Sequence, residues 1–252
     1  MARLDGKTAI VTGSAQGIGA TYAEALAGDG ACVVVVDVAD PSPVIDTIER
    51  SGGQAIGIRA DISDPDAVAD VVRQSVSAFG QIDILVNNAA ILSSLKMKPF
   101  EDITVEEWDA LMRVNVRGTF QCAQAVVPDM RRQKYGKIIN IASSVVMSGA
   151  PGFLHYVSAK GAVMAMTKAL ARELGDDNIC VNALAPGLVM SDAVERSPEW
   201  TPERRRRAIN NRCIKRTQVP DDLVGAMLFL ASPASDFVTG QTMVVDGGEV
   251  MH

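Results

Sequence analysis

The chain has 252 residues, 48% of them hydrophobic and 21% charged, and a formal net charge of −6. This composition carries enough apolar material for a large core and excludes a mainly disordered chain. The acidic balance excludes broad attraction to nucleic acid or anionic lipid, and no apolar run approaches the roughly 18 residues of a membrane span.

The opening MARLDGKTAIVTG lacks the apolar stretch of a secretory signal, so a cytoplasmic location is expected. Thr8–Val11 reads as a buried strand. A Gly-rich turn and a helix with apolar Ile18, Tyr22, Ala25 and Leu26 follow. Cys32–Val36 is a second strand, Ala55–Ile58 a third, Ile82–Val86 a fourth, Lys137–Ile141 a fifth and Ile179–Leu184 a sixth. Thr242–Val245 is a candidate seventh. Helical patterns fall near 65–79, 104–131, 156–175 and 221–231, with Thr104 and Glu107 as a capping box for the long one. Apolar strands alternating with helices predict α/β architecture: a doubly wound parallel sheet covered by helices on both faces. No linker splits the chain, so residues 1–252 read as a single domain. The segment 188–215 breaks the alternation with Pro198, Trp200, Pro202 and the run Arg204–Arg207. An insertion beyond the C-terminal end of a strand is where ligands bind in such sheets, and this one reads as a substrate lid.

Cys32, Cys122, Cys180 and Cys213 form no CxxC pair and read as reduced thiols. The histidines are His155 and His252, so neither a His-based metal site nor a Ser-His-Asp triad is supported. His155 reads as structural, and no metal is expected.

Thr12 to Gly19, TGSAQGIG, joins the first strand to the first helix. Glycines there permit a tight turn and close approach to a pyrophosphate, which the free amides of a helix N-terminus would hold. Asp37 follows Gly19 by 18 residues at the end of the second strand. An acid so placed accepts hydrogen bonds from adenosine ribose hydroxyls and repels a 2′-phosphate. Tyr156 and Lys160 stand four apart, on one face of a helix. A tyrosine needs its pKa lowered to serve as a base, and a nearby ammonium favours the phenolate. Ser143 lies two residues past the fifth strand, placed to hold a substrate oxygen. Asn115 lies within the long helix, where it is a poor helix former.

Taken together these residues resemble the short-chain dehydrogenase/reductase family over essentially the whole chain. Thr12–Gly19 matches its TGxxxGxG turn. Asp61-Ile62 matches its adenine-contacting pair. Asn87-Asn88-Ala89-Ala90 is similar to NNAG with Ala90 in place of glycine. Asn115, Ser143, Tyr156 and Lys160 match its catalytic tetrad. Pro186-Gly187-Leu188-Val189-Met190-Ser191 looks like the PGxxxT segment that holds the nicotinamide, with Ser191 for threonine.

The resemblance implies a Rossmann-like sheet of about seven strands. It implies NAD contacts at Gly13, Gln16, Gly17, Ile18, Gly19, Asp37, Asp61, Ile62, Asn88, Ala89, Tyr156, Lys160, Pro186, Gly187, Val189 and Ser191. The implied activity is hydride transfer between NAD and a secondary alcohol or ketone. Tyr156 is the base, Ser143 orients the substrate oxygen, Lys160 lowers the Tyr156 pKa and holds the ribose, and Asn115 anchors a water. The substrate is a small molecule. Val145, Val146, Met147, Phe153, Leu154, Met190 and Trp200 are expected to border its pocket, an apolar lining suited to a cyclic or aromatic alcohol. An NADPH-dependent 3-oxoacyl-thioester reductase and a non-enzymatic dinucleotide sensor are the rival readings. The family implies a homo-oligomer, tetramer or dimer. Trp108, Leu111, Met112, Val116, Phe120, Ala123 and Val127 in the long helix make an apolar stripe wider than one core face needs.

Overall fold

The computed structural model describes residues 4–92 and 94–251; His252 lies outside them. The strands are β1 (Thr8–Thr12), β2 (Cys32–Asp37), β3 (Gln54–Arg59), β4 (Ile84–Asn87), β5 (Gly136–Ile141), β6 (Ile179–Pro186) and β7 (Thr242–Val245). They form one seven-stranded sheet in the order β3-β2-β1-β4-β5-β6-β7, with parallel pairing throughout.

The CVVVV run explains how one strand serves two layers. Successive side chains of a strand point to opposite faces. Val33 and Val35 enter one core, against Tyr22 and Leu26 of α1 (Gly17–Gly28) and Leu223, Met227 and Leu230 of α10 (Asp221–Ala231). Val34 and Val36 enter the other, against Val68 and Val71 of α3 (Pro65–Phe79) and Cys122, Val126 and Met130 of α5 (Thr119–Gln133). Each buried valine contributes about 1.5–3 kcal/mol of transfer free energy, which pins the register. At the sheet's N-terminal edge Asp83 accepts from Lys7 Nζ and the Thr8 amide, both at 2.9 Å.

β1 pairs with β2 on one side and β4 on the other. The chain reverses direction of travel across the sheet there, and a crevice opens at the C-terminal ends of β1 and β4.

Two elements differ from the sequence expectation. A helix α2 (Ser42–Arg50) lies between β2 and β3. It is short, its buried anchors are Val44 and Ile48, and such a sparse pattern is easily read as a loop. The expected helix 104–131 is three pieces: α4 (Val105–Met112), a π-helical stretch Arg113–Gly118, and α5. The capping box of Thr104 and Glu107 is present. Of the apolar stripe, Leu111, Ala123 and Val127 are buried in the chain's own core, whereas Phe120 is 43% exposed. Both α6 (Val145–Ser148) and α7 (Leu154–Leu174) follow β5. The segment 188–215 holds two short helices, α8 (Asp192–Arg196) and α9 (Pro202–Asn211). Among the described residues no helix is long and apolar enough to cross a membrane.

Candidate active site

The glycine turn closes on the loop after β4. Gly13 and Gly17 have φ of +63° and +59°, a region that L side chains rarely adopt. A Cβ at Gly13 would lie 2.6 Å from Ala89 Cα, and one at Gly19 would lie 2.1 Å from the Gly13 carbonyl oxygen. Asn88 and Ala89 therefore form the floor of the turn. Asn88 Nδ2 donates to the carbonyls of Thr12 and Gly13 at 3.0 and 2.8 Å. Thr12 Oγ1 accepts from the amides of both Asn88 and Ala89 at 3.1 Å. Thr12 was legible as the first letter of the motif, but its role as a clamp needed the fold. Ser14 ties β1 to β2, donating to Val11 O at 2.6 Å and accepting from Val36 N at 3.1 Å.

Gln16 is the N-cap of α1, and Ile18 packs partly buried on the first core. The first amides of this helix have no partner from a capping side chain, which leaves a site for a phosphate. Asp37 faces the same turn. Its Oδ2 accepts from Ala15 N at 2.9 Å and its Oδ1 from Ala39 N at 3.0 Å. Asp61 Oδ1 accepts from Ser63 N, and Ile62 is buried against Gly118, where a Cβ would lie 2.6 Å from it. Pro186 O accepts from Ser144 N at 2.9 Å. Gly187 leaves no room for a side chain, since a Cβ would lie 2.9 Å from Asp246 Cβ. Val189 bridges to Gln218, and Ser191 Cβ comes within 3.7 Å of a Cβ position at Gly17. The segment 186–191 thus passes over the glycine turn.

Ser143, Tyr156 and Lys160 converge beside Pro186, all buried. Tyr156 and Lys160 project from one face of α7, with Lys160 Nζ 5.8 Å from the Tyr156 ring centroid. Lys160 Nζ donates to Ile141 O at 2.6 Å, which fixes it against the end of β5. Ser143 Oγ lies 3.5 Å from Pro186 O and hydrogen-bonds Tyr156. Burial pushes the Tyr156 phenol up to about 12, with the Ser143 bond pulling the other way. Burial pushes the Lys160 ammonium down to about 8. The expected lowering of Tyr156 is therefore outweighed here by desolvation, which disfavours the charged form of each group.

Asn115 sits in the π-helical stretch, a feature that recurs at functional sites. Its Nδ2 donates to Ile91 O at 3.1 Å and its Oδ1 accepts from Ile91 N at 2.7 Å. Its own carbonyl accepts from Thr119 Oγ1 at 3.0 Å.

An apolar wall stands over Tyr156. The Phe153 ring meets it edge-on at 6.4 Å, and Trp200 stacks on Phe153 at 6.0 Å. Val145, Leu95 and Met97 pack into the same cluster. Leu95 and Met97 were not anticipated; their place in the loop beyond β4, at the ligand-binding edge of the sheet, was the available signal. Four expected wall residues lie elsewhere. Met190 lines a separate cavity of about 160 Å³ with Leu188, Arg205 and Arg212. Met147 is half-buried on α6 outside this cluster, and Leu154 faces solvent. Val146 lies on α6 near Gly161. His155 points away from Tyr156 toward Glu107 and Lys98, and its burial holds it below its ordinary pKa.

The segment 188–215 reaches this wall through Trp200 and through Glu199, whose Oε2 accepts from Met97 N at 3.1 Å. Arg205 donates to the carbonyls of Trp200 and Glu195 at 2.7 and 2.8 Å. Arg204, Arg206 and Arg207 are exposed.

Comparison with known proteins gives the same direction. The family described as Enoyl-(Acyl carrier protein) reductase matches residues 13–249. The subunit BbsD of (2S)-[(R)-hydroxy(phenyl)methyl]succinyl-CoA dehydrogenase from Thauera aromatica is 38% identical, over 97% of each chain. The 3-oxoacyl-[acyl-carrier-protein] reductase FabG of Thermotoga maritima is 36% identical, over 99% of this chain and 100% of that one. A solved 7α-hydroxysteroid dehydrogenase, in complex with NADH and 7-oxo glycochenodeoxycholic acid, superimposes with a TM-score of 0.92. It is 37% identical, covering 99% of this chain and 96% of that one. With the sheet order, the glycine turn and the Ser-Tyr-Lys convergence already in place, these likenesses show that the chain belongs to the short-chain dehydrogenase/reductase family of oxidoreductases.

Proposed function

We propose that the protein is an NAD-dependent dehydrogenase of secondary alcohols, with a cyclic or aromatic substrate. The observation that carries this is the placement of Tyr156 between Ser143, Lys160 and the Phe153–Trp200 wall. The chain's residues fit a dinucleotide: Gly13 and Gly19 form a cradle that a Cβ would fill, and Asp37 is fixed beside it. Gly13, Gln16, Gly17 and Gly19 would hold the pyrophosphate, Asp37 the ribose, and Asp61 and Ile62 the adenine. Asn88, Ala89, Pro186, Gly187, Val189 and Ser191 would hold the nicotinamide half. The bound dinucleotide supplies the acceptor for the hydride.

The protein's part is to hold and move a proton. Ser143 Oγ and Tyr156 Oη grip the substrate oxygen, and Tyr156 takes its proton as the carbonyl forms. The phenol as it stands titrates too high for this. The Lys160 ammonium, retained below about pH 8, is the group that stabilises the phenolate in the reacting state. Asn115 holds the loop carrying Ile91, and with it the water through which Lys160 exchanges its proton. Residues 188–215 close over the substrate through Glu199 and Trp200 and exclude water. The exposed Phe120 supports association into a homo-oligomer.

The likeness to FabG favours a second reading, reduction of a 3-oxoacyl thioester. Asp37 opposes its usual phosphorylated cofactor. Steady-state rates with NAD and NADP across a panel of cyclic, aromatic and 3-hydroxyacyl-thioester alcohols separate the two. Turnover confined to thioesters with NADP overturns the proposal.

A further inference from the structure

The sheet register places a cation beside the acid of the cofactor turn. Asp37 ends β2 and Arg59 ends β3, and the two are partners across the parallel pair. Partner positions on neighbouring strands project to the same face of the sheet. Asp37 is immobilised by two main-chain amides, Ala15 and Ala39. Arg59 is anchored as well: its Nε donates to Val38 O at 2.7 Å, the carbonyl of the residue after Asp37.

That anchor uses one nitrogen of the guanidinium. The two terminal nitrogens make no hydrogen bond or ion pair with any described residue. The acid that feels them is Asp40, held low first by its bonds with Ser42 and only then by Arg59. The end of β2–β3 therefore carries a fixed carboxylate and, on the same face, a fixed guanidinium with both fork nitrogens free. Guanidinium geometry matches phosphate oxygens, and a phosphate bound there would form charge-assisted bonds.

We propose that Arg59 is a second specificity-determining residue, a latent 2′-phosphate site masked by Asp37. In the native chain the carboxylate takes ribose hydroxyls and repels a phosphate. With that charge removed, the free nitrogens of Arg59 take the phosphate of the phosphorylated dinucleotide. This rests on the reading of the glycine turn as a dinucleotide site under "Proposed function".

The test is calorimetric binding of two probes that lack nicotinamide, ADP-ribose and 2′-phospho-ADP-ribose. Native protein is compared with Asp37→Asn, Asp37→Ser, Asp37→Asn/Arg59→Ala and Asp37→Asn/Arg59→Lys. Asparagine keeps an oxygen for Ala15 N, which holds the turn, and gives up only the exposed bond from Ala39 N. Native protein should prefer ADP-ribose. Asp37→Asn should tighten the 2′-phospho probe by roughly ten- to hundredfold, the range of one or two charge-assisted hydrogen bonds. Adding Arg59→Ala should cancel that gain while changing ADP-ribose binding little, and Arg59→Lys should restore part of it. A gain that survives Arg59→Ala, or no gain in either Asp37 variant that still binds ADP-ribose, overturns this inference alone. Native protein that binds neither probe overturns the dinucleotide reading itself, and the inference with it.

Discussion

Asn115 and Ile91 hold each other by two reciprocal hydrogen bonds, Nδ2 to the Ile91 carbonyl at 3.1 Å and the Ile91 amide to Oδ1 at 2.7 Å. The bonds join the π-helical stretch to the loop that continues past Asn88 and Ala89. That loop also delivers Leu95 and Met97 to the wall over Tyr156. One side chain thus ties the chain between the floor of the glycine turn and the wall over Tyr156 to the π-helical stretch. Asn115→Ala leaves the half-buried amide and carbonyl of Ile91 without their partner. The expected cost is about 1–3 kcal/mol, with a fall in kcat and faster hydrogen exchange at the Ile91 amide. Unchanged exchange at Ile91 would show that the clamp does not order the loop.

Tyr156→Phe keeps the ring that Phe153 meets edge-on and removes the proton acceptor. Turnover should fall by about 10²–10⁴-fold or more, the range for a lost general base. NADH binding followed by fluorescence should change little. A variant that retains a tenth of the native rate would mean that another group takes the proton.

Gly13→Ala tests the cradle. The new methyl would lie 2.6 Å from Ala89 Cα, at a φ of +63°. Overpacking of this kind costs about 1–3 kcal/mol, and relief requires the turn to move off Asn88. The expected result is a lower urea midpoint together with loss of NADH binding. Native affinity in the variant would show that the turn and the Asn88 loop are not held in contact.

Much of this site was legible because its parts sit at strand ends, where an apolar run stops and a polar letter follows. Asp37 after CVVVV, Ser143 after KIINIA and Asn88 after ILVN are each placed by the strand before them. Spacing puts Tyr156 and Lys160 on one helix face, but the pair was legible as a site only together with Ser143 and the glycine turn. The substrate wall was less so. Met190 and Leu154 are apolar and adjacent in sequence to site residues, yet Met190 lines another cavity and Leu154 faces solvent. Neighbours on a helix or in a coil segment point in different directions, and composition does not say which. The π-helical stretch was hidden for a related reason, since one widened turn leaves the apolar periodicity nearly unchanged. The upward push of burial on the Tyr156 phenol depends on solvent exclusion, which no spacing encodes.

The contact of the segment 188–215 with the wall gives a fourth prediction. Glu199 accepts from Met97 N, and Arg204 donates to the Glu199 carbonyl at 2.5 Å. Glu199→Gln weakens the acceptor without changing its shape. Hydrogen exchange at Met97 and in α8 and α9 should quicken, and KM for the alcohol should rise more than KM for NAD. Equal changes in both constants would place the effect at the glycine turn instead of the segment 188–215.

The last prediction concerns pH. Lys160 falls from 10.5 to about 8 on folding, and Tyr156 rises from 10.0 to about 12, both through burial. Below about pH 8 Lys160 is protonated in both states, and the folded chain bears the full cost of burying an ammonium. Between about 8 and 10.5 the unfolded chain binds the extra proton, so this group makes stability rise with pH. Tyr156 acts with the opposite sign. Its contribution is fully present below pH 10.0 and is lost as pH climbs toward 12, where the folded chain alone keeps the proton. Lys160→Met removes the first contribution. The difference in urea midpoint between Lys160→Met and native protein should therefore favour the variant most at pH 7 and move steadily toward the native protein up to pH 10. Loss of the bond to Ile141 O shifts this difference by a constant and leaves its slope intact. A difference that is flat from pH 7 to pH 10 would show that Lys160 keeps its proton throughout. Its charge would then be stabilised in the site, and its loss at alkaline pH could not limit catalysis.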